Sequence, residues 1–287
     1  MHGYSVTLPA MYLVKSPFFL KWYYPQLLWN KPRSEKTIYI TFDDGPIPIV
    51  TPFVLKTLAA YNAKATFFCI GDNIRKHPDV FNAVVNSGHA IGNHTFNHLN
   101  GWKTDDETYI KNILEAQALT QTNLFRPPYG RIKKSQIRKL KGVGGRESEV
   151  GSEQSAVSSL QSDIKTLSFE VRNKSSEPQF QPSNHYPLTA KPNPSTLYPP
   201  NPKPSTLHPK PSTLNLPAFH LIMWDVLSGD FDTNLAPEKC YQNVIINTQN
   251  GSIIVFHDSL KAFDRLQYAL PRVLKYFTER GFSFERL

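Results

Sequence analysis

Two carboxylates stand side by side at Asp43 and Asp44, inside the run Thr41-Phe42-Asp43-Asp44-Gly45-Pro46. Like charges this close repel unless a cation neutralises one of them. The run follows a short β-rich segment, TIYIT at 37–41, and Gly45-Pro46 then turns the chain. Alone, the feature reads equally well as a polar strand-to-loop turn capping the next helix. A second run, His94-Thr95-Phe96-Asn97-His98, also follows a strand-like segment. Histidines at i and i+4 on one helical turn reach the same ion, and imidazole suits zinc and similar divalent metals. The chain has 9 histidines, so such a pair also arises without a ligand. Together the runs offer one carboxylate and two imidazoles, with metal positions left open and a spare carboxylate beside them as general base.

Three further segments put polar residues at strand ends. Arg126-Pro127-Pro128-Tyr129-Gly130 is a rigid loop whose arginine suits a carboxylate. Trp224-Asp225 and Asp230-Phe231 flank the end of an apolar run. Val255-Phe256-His257-Asp258 delivers a histidine from an apolar strand. Each has a plain structural reading, but five polar strand ends are hard to assign to folding alone.

These residues need a scaffold of alternating strands and helices. Strands are predicted at 37–41, 65–70, 89–94, 124–126, 220–226, 252–257 and 283–287. Helices are predicted at 51–61, 73–86, 105–119, 133–140, 237–247 and 265–280. The pattern lapses between about 142 and 218, which holds half of the chain's 24 prolines. Proline at this density forbids helices and ladders, so an extended or disordered insertion is expected. PSTL recurs there at Pro194, Pro204 and Pro211, the last two copies seven residues apart. A seven-nucleotide tandem repeat read in triplets gives that spacing, so the insertion reads as translated, telomere-like repetitive DNA. A Pro-rich linker or SH3-type ligand is the alternative. A spliced message lacking codons 141–219 is the outcome the first reading expects from transcript sequencing.

The 287 residues suffice for a sizeable core. Two cysteines, Cys69 and Cys240, exclude a disulfide scaffold and a thiolate zinc cluster. The net charge of +9 favours acidic partners, and nearly all of it lies outside the insertion. No nucleic-acid motif accompanies it, so no nucleic-acid partner is expected. No apolar run approaches a membrane span. Residues 11–30 are aromatic and apolar but lack the unbroken core and cleavage site of a signal peptide. They are expected to pack as a helix on the domain, with a membrane surface as the alternative and Met11 as an alternative start. A cytoplasmic or membrane-peripheral location follows, and the oligomeric state is open.

TFDDGP, HTFNH, RPPYG, the Trp-Asp…Asp-Phe segment and VFHDS resemble, in order, the five motifs of the polysaccharide deacetylase family, the NodB-homology domain of carbohydrate esterase family four. The resemblance covers residues 36–141 and 219–287, leaving 1–35 as an N-terminal extension and 142–218 as the insertion. It implies an α/β fold, a distorted (β/α)7 barrel, and metal-dependent hydrolysis of N-acetyl or O-acetyl groups on an acetylated glycan such as peptidoglycan or a chitin-like polymer. It implies Asp44, His94 and His98 as ligands of a divalent ion, zinc or a similar metal such as cobalt. It also implies Asp43 as base, His257 as acid, Arg126 as the residue tuning Asp43, and the Tyr129 N–H as oxyanion donor. Trp224, Phe231, Val255 and Asp230 would line the acetyl pocket. Two departures stand out. Phe231 occupies a place that is often Trp, and Leu227 one that is often an Asp tuning the acid histidine, so Asp225 or Asp230 is the candidate substitute. Competing readings are a metal-dependent amidase on small amides, a barrel broken by the insertion and inactive, and a binding protein for anionic polymers.

Overall fold

The computed structural model describes residues 12–142 and 218–287. The body of the insertion lies outside them. In chain order the elements are α1 Phe18–Tyr23, β1 Thr37–Asp43, α2 Val50–Ala60, β2 Thr66–Cys69, α3 Gly71–Lys76, α4 Pro78–Asn86, β3 Ala90–Asn93, α5 Asp106–Thr120 and β4 Leu124–Phe125. A 3-10 turn at Pro128–Gly130 follows, then α6 Lys134–Leu140, β5 His220–Leu221, β6 Val226–Leu227, α7 Pro237–Asn247, β7 Ile253–His257, α8 Phe263–Thr278 and β8 Ser283–Phe284.

The strands form one parallel sheet ordered β5-β4-β3-β2-β1-β7-β6, with β8 on β1. Period-two alternation divides β1 cleanly. Ile38, Ile40 and Phe42 are fully buried in the main core, where Phe42 stacks on Phe67 and Phe256. Leu266, Leu270, Val273 and Leu274 of α8 and Val54 and Leu58 of α2 complete that layer. Thr41 and Asp43 take the opposite phase and meet Arg126 instead. The edge strands β5 and β6 are only four residues apart in sequence, so the sheet must curl until its ends lie close.

The parallel α/β sheet is as expected, but among the described residues it has eight strands rather than seven, because the single strand predicted over 220–226 divides into β5 and β6. The carbonyls of Ile222 and Met223 accept from Arg126 Nε and Nη2 (3.3 and 3.0 Å), which takes them out of a ladder. The helix predicted over 73–86 likewise divides at Pro78, which has no N–H to donate.

Among the described residues of the N-terminal extension, only 18–23 is helical, between Pro17 and Pro25. Isolated bridges tie its described residues to the sheet. Lys15 bridges Val226, Leu28 bridges Ile222 and Asn30 bridges Ser252. Lys15, Lys21 and Arg33 converge on the buried Asp225 carboxylate at 2.8, 2.8 and 2.9 Å. Helix α1 itself buries no residue.

The two halves of the domain meet where the insertion departs. Phe219 N–H donates to Leu140 C=O at 2.9 Å, at the N-terminal end of β5. The ends are therefore already juxtaposed. Replacing 143–217 by a short Gly/Ser linker removes about four doublings of loop length, worth on the order of 2 kcal/mol. The expected result is the same circular dichroism and a Tm higher by about 5 °C. Loss of cooperative unfolding in the shortened chain would contradict it.

Candidate active site

Asp43, His94, Arg126, Asp230 and His257 sit at or just beyond the C-terminal ends of their strands, the end where parallel β/α folds carry their chemistry, whereas Asp225 lies at the N-terminal end of β6. Asp43 ends β1 and pairs in register with His257, which ends β7. His94 follows β3, and its N–H donates to Cys69 C=O at the end of β2. Arg126 follows β4, its N–H donating to Asn93 C=O.

Asp44, His94 and His98 each offer a ligand atom, all within 4.8 Å of one another. His98 Nε2 lies 3.2 Å and His94 Nε2 3.8 Å from Asp44 Oδ1. This oxygen is buried and has no hydrogen-bond partner among the described residues, a costly arrangement unless a cation completes it. His94 Nδ1 is committed to Arg126 C=O at 2.8 Å, which leaves Nε2 as the ligating atom. Burial lowers the His94 pKa to about 4, keeping the ring neutral as ligation requires. Burial alone would raise the Asp44 carboxyl, but the contact with His98 and the nearby His257 and His94 rings hold it well below the carboxylate range. The donor set fits a divalent metal.

The helical turn expected for 94–98 is absent. The segment is a loop in which Thr95 and His98 have positive φ (64° and 56°), as do Asp44 (82°) and Tyr129 (60°). Left-handed backbone at a β-branched residue is strained, and such residues gather at working sites. The two imidazoles therefore converge through loop geometry rather than helical periodicity.

Arg126 is fully buried and donates from Nη1 to Asp43 Oδ1 (2.7 Å) and Thr41 Oγ1 (2.6 Å). Its guanidinium lies 4.1 Å over the Phe68 ring. Asp43, itself buried, is thereby fixed 4.0 Å from His94 Nε2. On the neighbouring strand, Asp230 accepts from the His257 backbone N–H and pairs with Nδ1, both at 2.7 Å. Burial alone would lower the His257 pKa, yet the charge and hydrogen bond of Asp230 raise it to about 9. Asp230 is fully buried and contacts the histidine, not the pocket lining. Asp225 does not reach this histidine in any hydrogen bond or ion pair found; its carboxylate serves Lys15, Lys21, Arg33 and Ser252. Leu227 is buried in β6.

Phe231 meets His257 edge-on with centroids 5.3 Å apart. Trp224 reaches over Arg126, and a side chain at Gly130 would meet its ring at 2.6 Å. Val255 shares the β7 face of His257 but is buried one pair further down the strand, so it forms floor rather than wall. Tyr129 is exposed, with its ring 4.6 Å from His98.

Sequence reasoning gave no role to Asp258. Its carboxylate accepts from Gly45 N–H (2.9 Å) and Thr51 Oγ1 (2.6 Å), so it holds the turn that follows Asp44. A Cβ at Gly45 would fall 2.0 Å from that carboxylate, so only glycine fits. Burial pushes the Asp258 pKa up to about 8. Asn73 secures the same turn, donating to Asp44 C=O at 2.7 Å. The position of Asp258 directly after His257 was the available signal.

The polysaccharide deacetylase family matches residues 30–147. A peptidoglycan-N-acetylglucosamine deacetylase of Bacillus cereus is 42% identical over 121 residues, 40% of this chain and 57% of that protein. A chitooligosaccharide deacetylase of Azorhizobium caulinodans is 41% identical over 105 residues, 34% of this chain and 50% of that one. The match thus spans about half the length of these relatives. Among solved structures, a peptidoglycan N-acetylglucosamine deacetylase superposes with TM-score 0.62 at 21% identity, over 95% of each chain. A CE4 family pseudoenzyme from Bacillus anthracis also superposes, with TM-score 0.54 at 14% identity over 90% of this chain and 66% of its own. The shared fold is a curled parallel α/β sheet, and the fold alone does not decide activity. The motif residues brought together at its strand ends and the match over 30–147 lead to one statement: residues 30–147 are similar to the polysaccharide deacetylase family.

Proposed function

We propose that the chain hydrolyses acetyl groups from an N-acetylated amino-sugar polymer, releasing acetate and a free amine. One observation carries this reading. A carboxylate fixed by a buried arginine and an imidazole fixed by a buried carboxylate end neighbouring strands at paired positions, beside the Asp44–His94–His98 cluster. That is the equipment of base-assisted attack followed by acid-assisted departure.

Asp44, His94 and His98 would hold a divalent ion, zinc or cobalt suiting these donors, and it would supply Lewis acidity at this point. Asp43 takes the proton of the attacking water, its charge kept in place by Arg126. The Tyr129 N–H is assigned to the negative charge that develops on the carbonyl oxygen. His257 gives its proton to the departing amine. Trp224 and Phe231 flank the acetyl methyl. The test is acetate release from N-acetylglucosamine oligomers with and without chelator. Chelator-sensitive release supports the reading, whereas none from folded protein resupplied with zinc or cobalt overturns it.

The pairing of His257 with Asp230 fixes a pH dependence. A raised pKa keeps the acid charged through neutrality, and activity declines as pH rises through about 9. The stability from the pair is complete below the unfolded histidine value near 6.5 and is lost across the same rise. Asp230→Asn is expected to move the alkaline limb of kcat/KM toward acid and to cost on the order of tenfold at pH 8. An unmoved limb would remove His257 as the acid.

A further inference from the structure

A rigid aromatic and a cation stand together on the rim beside the metal-ligand cluster. Trp102 follows His98 by four residues, and its ring is 58% exposed. It is nevertheless fixed. Indole Nε1 donates to Ile132 C=O at 3.1 Å, and its backbone N–H donates to Asn100 Oδ1. The loop beneath is locked to the segment after the 3-10 turn. A Cβ on Gly101 would lie 2.5 Å from Arg131 C=O, and Gln136 Nε2 donates to Gly101 C=O at 3.0 Å. Arg131 places its guanidinium 5.1 Å from the Trp102 ring. It is exposed, and among the described residues its side chain makes no hydrogen bond or ion pair. The two acidic residues that follow Trp102 most closely are engaged, Asp105 capping α5 and Asp106 facing Lys139. Arg131 also follows Tyr129 by two residues, so this pair continues the edge that begins at His98.

An indole whose only polar atom is satisfied, on a residue more than half exposed and with Arg131 over one face of the ring, offers a sugar ring fixed aromatic surface at little entropy cost. A guanidinium beside it, without an anion, calls for a planar anion that it can grip with two N–H groups. We propose that Trp102 and Arg131 form a subsite for a sugar unit bearing a carboxylate, next to the unit whose acetyl group reacts. The inference rests on the proposed deacetylation and narrows its substrate to carboxylate-bearing glycans over neutral ones.

The test uses the full-length chain and two tetrasaccharides. One alternates N-acetylglucosamine with N-acetylmuramic acid, whose lactyl group carries the carboxylate, and the other is all N-acetylglucosamine. Binding is measured by calorimetry in an Asp43→Asn background so that neither is consumed, and acetate release is followed in the active chain. The carboxylated tetrasaccharide is expected to bind about fivefold more tightly, the upper range for an exposed ion pair. That preference disappears in Arg131→Gln, survives in part in Arg131→Lys, and fades as salt rises. Trp102→Ala weakens both oligomers on the order of tenfold. In the active chain Arg131→Gln raises KM for the carboxylated substrate and leaves kcat unchanged. Equal binding of the two oligomers, or a preference indifferent to Arg131, overturns the subsite. Arg131-dependent preference without acetate release would overturn the hydrolytic reading and keep the subsite.

Discussion

Asp43→Asn is expected to lower kcat/KM by about 10²- to 10⁴-fold, the range supplied by a positioned general base. The amide keeps an oxygen in the place of Oδ1, so Arg126 Nη1 retains an acceptor and the geometry persists. The negative charge is lost, and with it the ability to take a proton at neutral pH. The substitution also leaves a fully buried guanidinium without its counter-ion, which costs about 3 kcal/mol. Initial rates on acetylated oligomers and a urea unfolding curve separate the two effects. An unimpaired rate would show that another group is the base.

Asp225→Asn is expected to be strongly destabilising although it lies outside the site. Three cations surround a carboxylate with no accessible surface, and none has another carboxylate among its described ion pairs. Their side chains are each about one-third exposed and so recover part of their hydration. The cost therefore falls near the lower end of the range for breaking a buried pair, about 3 kcal/mol. Against a net stability of about 5–15 kcal/mol, that is a large share. Lys15→Met alone is expected to cost about 1 kcal/mol or less, because Lys21 and Arg33 remain. Burial opposes the charge on Asp225, but hydrogen bonds from Lys15, Lys21, Ser252 and Arg33 hold its carboxyl well below the usual range. The stability it contributes is present at neutral pH and is lost as pH falls below about 4, the ordinary carboxylate value. The Asn variant is expected to show a shallower acid limb in its stability profile. Equal urea midpoints for variant and parent at pH 7 would show that the cluster contributes nothing.

The convergence of Asp44, His94 and His98 beside Asp43 was legible because these side chains lie within a few residues of apolar strand runs, where period-two burial fixes which residues emerge. Asp43 and His257 could be read from TFDDGP and VFHD in this way. The tuning of His257 could not, because Asp230 and Asp225 look alike in sequence. Three cations from a distant segment claim Asp225, and only the three-dimensional path of the N-terminus reveals them. The division of the predicted strand at 220–226 was equally hidden, since HLIMWDV is apolar throughout and gives no hint that Arg126 needs two of its carbonyls. The path of 94–98 was misjudged because i, i+4 spacing suits a helix and a loop with left-handed residues alike.

The boundary of the family match and the boundary of the folded unit do not coincide. The match begins at residue 30, yet the segment from Val14 to Asn30 covers backbone of β6 and of the residue after β5. Bare strand edges are adhesive, because their N–H and C=O groups will pair with any extended chain that arrives. A recombinant chain that began at residue 30 and kept the rest would thus carry two uncovered edges and lose two of the three cations around Asp225, inviting self-association that the full sequence forestalls.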